Sequence, residues 1–544
     1  MITIGFSKMQ AIKKHFSLST LSKGIHDKSV VQKYTFGGTG RLTIHNFLYL
    51  ACVTTRRKLS VVCGVFVSTF CALALASNAT SYSESEMQVS LNLTEVVPAR
   101  KVRLPNVRFV APIGDDRRGD GSAGKPWKTI SHAINRISSG DSLIIKNGVY
   151  VGKENFLSGI PAGTPLRPTV IMAESPMEVR IQSASSLGYN DNQLHVTGSH
   201  ITIDGFIFDM AATKYPPYIG EIEGSFVTVS RSIFKRSGDI DEYGGLLQVS
   251  GSDNLLEDLA GVGACRYCFK QGGTSGSTQR NIWRRVIGRF DYSNSAQPKA
   301  TFSTYGNDSV TTNGVYDHLY QNVIAIDGQN PGANGGDEKY GGFLTAKAAS
   351  RVQLQGCIVL NEGVGYSGMH LRDYQSGTSN GATHSVVWDL KGSRPKAAGI
   401  RGAWANHVTV GGNISGKAVD LDGPARESRI EAQIPVQNLL NNNPGAIILK
   451  KYGKSRTHWG ETGFDTLTNE ALWPWPYEDK IKAVFSEPND PPTKNSPSLN
   501  ITKRGFSAEG TGLYGGPITL TSYIWEYLGE KCPKNICRTN AQAN

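Results

Sequence analysis

The chain carries little excess charge once its amino terminus is set aside. Its 57 Lys/Arg and 45 Asp/Glu give a formal net charge of +12. Residues 1–76 hold ten of the basic side chains and a single acid, Asp27, a net of +9 that leaves +12 − 9 = +3 for the rest. A body so nearly balanced excludes a nucleic-acid partner held by its phosphate backbone. There is no G-x-y period behind the 61 glycines, so collagen is excluded and a chain of many turns remains. No helical 3.6-residue period lies between the short apolar runs, which argues against βαβ units. Hairpin dipeptides at 8–12-residue spacing are sparse, which argues against a β-sandwich. With 39% hydrophobic and 19% charged residues, the chain is not disordered and has material for a long core.

The amino end reads as an export signal. Arg56, Arg57 and Lys58 precede an apolar run from Leu59 to Ala76 that closes on Ala74, Leu75 and Ala76. A positive flank, an apolar stretch and an A-x-A exit are the parts of a secretory signal. We therefore expect a signal peptide over residues 53–76, a linker over 77–105, and a product that is secreted, at the cell surface or in the periplasm. An uncleaved anchor is the alternative, since about 18 apolar residues just span a bilayer; after cleavage no membrane contact is expected. Residues 1–52 are long for such a flank, and we expect them to be an over-annotated leader, with Val53 as an alternative start. Thr55 to Leu59 also faintly resembles a twin-arginine signal.

Few cysteines remain beyond that leader. Three of the eight (Cys52, Cys63, Cys71) lie within it, leaving Cys265, Cys268, Cys357, Cys532 and Cys537. Cys532 and Cys537 close a short terminal loop and read as a disulfide in an oxidising compartment. Cys265-Arg-Tyr-Cys268 lacks a second pair, so a local bridge or buried thiol is favoured over a redox or metal motif.

What the body does contain is a repeat. A polar turn, a short β-branched or aromatic run and a second short run recur in nine segments. Their anchors Ile201, Val227, Leu255, Ile282, Leu319, Leu354, Val387, Val408 and Ile430 are spaced 26, 28, 27, 37, 35, 33, 21 and 22 residues apart. A floor near 21 with irregular excess is the pattern of a solenoid with insertions. Short alternating strands cannot bury a face alone, but stacked coil on coil they form one apolar column and pair with the coils above and below.

The start of the repeat carries a resemblance. Gly119 to Ser122, Lys125-Pro126-Trp127-Lys128-Thr129-Ile130, Ala133 and Ile134, Gly140 to Ile145, and Gly148-Val149-Tyr150 follow one order. This resembles the amino-terminal cap of the secreted right-handed parallel β-helix (pectin-lyase-like) superfamily. The resemblance implies an all-β, single-stranded right-handed parallel β-helix over residues 106–460. Pro126 and Thr129 would start a capping helix whose Ile130, Ala133, Ile134 and Ile137 share one face. Residues 461–544 are expected to form a carboxyl-terminal cap that closes the column. In it, Trp473, Trp475 and Tyr477 lie flat over the last coil, with sugar stacking as their alternative role. A short helix over Thr519–Leu528, ended by Gly529, is pinned there by the disulfide loop.

That superfamily includes lyases, hydrolases, esterases, epimerases, adhesins and tail spikes, so activity must come from a site. The longest insertions fall between Ile282 and Val387, where a groove is expected outside the column. Aligning Val323–Asp327 with Cys357–Asn361 puts Asp327 beside Asn361, about 4.8 Å away, with Asp291 and Glu362 close by. Stacked carboxylates repel unless a cation lies between them, which motivates Ca²⁺ at Asp291, Asp327, Asn361 and Glu362; solvated turn ladders are the alternative. A lyase of this fold needs its uronate carboxylate neutralised and a base for the adjacent proton. The candidates are Lys347, Arg372 and Lys299, with Arg289, Tyr292, Tyr366 and His370 binding substrate. Signals N-T-D and G-H-G of the polygalacturonase type are absent. Two readings stand: an enzyme or binder acting on an extracellular, acidic polysaccharide, by lyase-type β-elimination if catalytic, and a non-catalytic, self-assembling scaffold or adhesin.

Overall fold

In the computed structural model the described residues are most of 106–431, the strand Ala446–Leu449, and stretches between residues 473 and 537. The leader, signal peptide and linker expected over residues 1–105 lie outside them. Residues 102–544 form one compact unit. Among the described residues no helix is long and apolar enough to cross a membrane.

Three parallel sheets run the length of the unit. The first holds 12 strands, from Val107–Val110 to Ala425–Arg426; the second holds 12, from Gly148–Val151 to Ala446–Leu449. The third holds nine, from Leu194–Val196 to Lys417–Leu421. From Thr169 to Leu421 each coil gives a strand to each sheet in turn, and a single chain winds as a parallel β-helix. The register explains the core. Ile203, Val229, Leu256, Trp283, Tyr320, Leu354, Ala382 and Ala405 are successive partners in the first sheet, and all are buried. In the third sheet Phe269, Phe302 and Phe343 stack at 5.2 and 5.0 Å, an offset-stacked spacing that fits the strand repeat. Of the sequence anchors, Leu255, Ile282 and Leu319 are true register partners. Val387 and Ile430 belong instead to the second sheet.

Asparagines tie the coils at one turn. The Asn254 side chain accepts from the Val227 amide, and Asn281 from the Asn254 amide. His318 takes the next place, its Nδ1 accepting from the Asn281 amide at 3.2 Å while Nε2 donates to the Thr278 carbonyl at 3.0 Å. Near the start, Ile130–Ile134 is helical, and Ile130, Ala133 and Ile134 enter the main apolar cluster beside Leu143 and Ile145.

The carboxyl-terminal segment is placed otherwise than expected. Rather than lying over the last coil, it covers the outer face of the second sheet. Trp473, Trp475, Phe485, Phe506, Ile524 and Trp525 pack against Ile233, Ile287, Ile324, Ile358, Val386 and Trp388 in one buried cluster. The outward positions of those strands are apolar, and such a face must be covered. Glu487 pairs with Arg180 and with Lys235 Nζ at 2.7 Å, tying the strap to early coils. Its second helix, Leu520–Tyr527, begins on a Thr519–Ser522 capping box, and Gly529 follows it with φ 91°, both as the sequence suggests. Cys532 and Cys537 stand as a close pair, as do Cys265 and Cys268, with Cα separations of 5.9 and 5.0 Å. Cys357 is buried and free.

Candidate functional site

The expected acidic cluster exists, but it faces the strap. Asn361 Nδ2 donates to Asp327 Oδ1 at 2.7 Å, as the alignment of their strands requires. Asp327 also accepts from the Tyr523 hydroxyl at 2.7 Å and from the Phe506 amide. Arg289 Nε donates to Asp291 at 2.8 Å, and its other nitrogens reach Ser507 Oγ and the Phe485 carbonyl. Arg504 of the strap adds a bond to Asp291 at 2.6 Å. Burial alone would raise the Asp291 carboxyl, yet Arg289 and Arg504 together hold it below its usual value. At Asp291 the countercharge comes from guanidinium groups of the chain itself, whereas Asp327 is met by the Asn361 amide and the Tyr523 hydroxyl. Arg289 and Asp291 form a polar seam that fixes the strap, and they do not face open solvent. Glu362 is fully buried, and Tyr292 packs on Ala264. Tyr366 and Arg372 lie outside the described residues.

The outer face of the third sheet gathers a different set. Its strands alternate inward and outward. The outward row runs His195, Glu221, Gln248, Lys270, Ser303, Leu344, His370, Arg401, Asp420, each the register partner of the next. Lys270 Nζ donates to Gln248 Oε1 at 2.9 Å, and Gln248 Nε2 donates to Glu221 Oε1 at 3.1 Å. The Lys270 ammonium lies 5.8 and 5.6 Å from the ring centres of Tyr218 and Tyr305. Lys347 stands over the same Tyr305 ring at 5.1 Å. Arg266 lies over Tyr267 at 4.7 Å and Tyr243 at 5.1 Å, anchored through Nε to the Pro298 carbonyl. Cations held over aromatic faces keep their charge with less water around them.

Two sequence candidates, Lys347 and His370, therefore fall on this face, and Lys299 begins the strand Lys299–Tyr305 at its margin, almost fully buried. The residue the sequence reading missed is Lys270. Its pKa is lowered to about 8, by burial first and by Arg266 second, with Glu221 opposing both. Burial keeps Tyr218 and Tyr267 protonated well above the ordinary range. A lysine at ordinary pKa is only a point charge near neutrality, whereas one near 8 is a base. A signal was present in the sequence: the run Arg266, Tyr267, Lys270 interleaves cations and an aromatic along one strand.

No protein-family model matches this sequence, and neither does any curated protein. Among solved structures, a pectate lyase is 13% identical, with 62% of this chain and 79% of that chain covered at a TM-score of 0.37. A rhamnogalacturonan lyase is 14% identical, with 63% and 84% covered and a TM-score of 0.37. An alginate lyase from a Paenibacillus species is 14% identical, with 54% and 93% covered at 0.35. At these identities and scores the likeness carries no argument; the parallel β-helix is read from the stacked parallel sheets of the chain itself.

Proposed function

We propose that the chain is exported and cleaves an extracellular anionic polysaccharide by β-elimination on the outer face of the third sheet. The observation that carries this reading is Lys270, a lysine whose ammonium is held near pKa 8 among Arg266, Lys347 and three tyrosines. Tyr305, partly exposed beside Lys270 and Lys347, offers a flat apolar face to a sugar ring, while Tyr218 and Tyr267 are buried beneath the cations. Arg266 and Lys347 offer charge to a uronate carboxylate, and neutralising that group acidifies the carbon-bound proton beside it. Neutral Lys270 takes the proton from C5; the electron pair forms the C4–C5 double bond; the C4–oxygen bond breaks, and the departing oxygen takes a proton from a tyrosine hydroxyl or water.

The test is to incubate the protein with polyuronates and follow absorbance of the unsaturated product, comparing Lys270→Ala with the parent. Turnover in the parent, lost in Lys270→Ala with sugar binding kept, supports the assignment. Turnover that survives Lys270→Ala overturns the base. Retention on the polymer without product would assign the face to binding alone, the scaffold reading.

A further inference from the structure

At one end of the same sheet three side chains with metal-binding atoms converge. His195 sits at the centre of the strand Leu194–Val196, and its parallel register partner is Glu221. Glu223 lies two residues beyond Glu221, so an extended backbone carries both carboxylates on one side. That extension is fixed: the Glu223 amide donates to the Val196 carbonyl at 2.8 Å, continuing the ladder past the strand end. One ligand atom from each of His195, Glu221 and Glu223 lies within 4.8 Å of the other two. His195 Nε2 and Glu223 Oε1 are already 3.1 Å apart. In a tetrahedral site with bonds of about 2.1 Å, donor atoms stand about 3.4 Å apart, so small side-chain rotations complete the closure.

We propose that His195, Glu221 and Glu223 bind a divalent transition ion of the zinc type, with the fourth position open to water or ligand. One imidazole with two carboxylates is a borderline donor set; all-oxygen sets suit Ca²⁺, and the imidazole turns the preference toward Zn²⁺. The outer shell supports it from outside the triad. Gln248 Nε2 donates to Glu221 Oε1 at 3.1 Å, which orients the carboxylate and leaves its second oxygen for the ion. The site does not depend on the polysaccharide reading.

Full-length protein, stripped with chelator, is titrated with Zn²⁺ in competition with a chromogenic indicator. The expected result is one Zn²⁺ per chain at micromolar or tighter affinity, weakened at least tenfold by His195→Ala and likewise by Glu223→Gln. His200→Ala, whose ring stacks on Phe226 with centroids 4.9 Å apart and is not among the three converging ligands, should leave it unchanged. X-ray absorption should show nitrogen and oxygen ligands. The glutamine variant keeps size and removes only charge, so a folding failure in the alanine variant does not spoil the test. Zn²⁺ affinity unchanged by both triad variants, or equal loss in His200→Ala, overturns the site. Ca²⁺ bound at these residues with Zn²⁺ excluded overturns the proposed class. Loss of Zn²⁺ with turnover intact separates this site from the Lys270 chemistry.

Discussion

The pH dependence of turnover is the sharpest test of Lys270. A base with a pKa of about 8 is about 9% neutral at pH 7 and about 91% neutral at pH 9, a tenfold rise in active form. The same lysine at its ordinary 10.5 would be about 3% neutral at pH 9 and still climbing. Initial rates at low substrate, buffered from pH 6 upward, should therefore rise with unit slope and level off above about 8. Two variants move the midpoint in opposite directions. Arg266 lowers the Lys270 pKa by charge, so Arg266→Gln should shift the midpoint upward; Glu221 raises it, so Glu221→Gln should shift it downward. Isotopic labelling of the lysines by reductive methylation and NMR titration reads the same pKa without turnover. A profile still rising at pH 10, or variants that shift the midpoint in the same direction, would refute the reasoning.

Three further outcomes follow from packing and charge. Asp291→Asn should cost about 3–5 kcal/mol in urea unfolding, because it leaves the buried Arg289 guanidinium without its full countercharge; unchanged stability would refute the reading of this pair as a structural seam. Phe302→Ala, between Phe269 and Phe343, should also cost about 3–5 kcal/mol and lower the melting temperature while the parallel register persists by circular dichroism. His318 is held neutral by burial, its pKa lowered from 6.5 to about 3. The unfolded chain therefore binds more protons than the folded one in that window. Stability should be fully present above pH 6.5 and fall as pH drops toward 3, by up to roughly 5 kcal/mol. His318→Gln should flatten that slope, and an equally steep slope in the variant would count against the assignment.

Much of the fold was legible because its determinants are local. Alternating β-branched runs, turn-forming Asn, Asp and Gly, and the Thr519 cap act over a few residues, so spacing alone fixed the stacked coils. Asp327 beside Asn361 was read correctly from two aligned strands, since parallel register carries a residue onto its counterpart one coil away. Which outer face is covered was not legible. Arg289 and Asp291 look in sequence like groove residues, yet Arg504, Ser507 and Phe485, roughly 200 residues away in sequence, bury them. Expecting the strap at the column's end rested on its proline-bound aromatics, which signal burial but not against which surface.

Lys270 shows the same division. Its position on an outward row follows from alternation along its own strand. Its depressed pKa comes from burial and from Arg266, against the opposing charge of Glu221 two coils away. Periodicity in the sequence determined that the chain winds into stacked parallel coils, because strand pairing and turn preference are properties of neighbouring residues. The tertiary structure alone decided which face is sealed and which lysine has its pKa lowered, because desolvation and charge depend on groups that meet only after the coils stack.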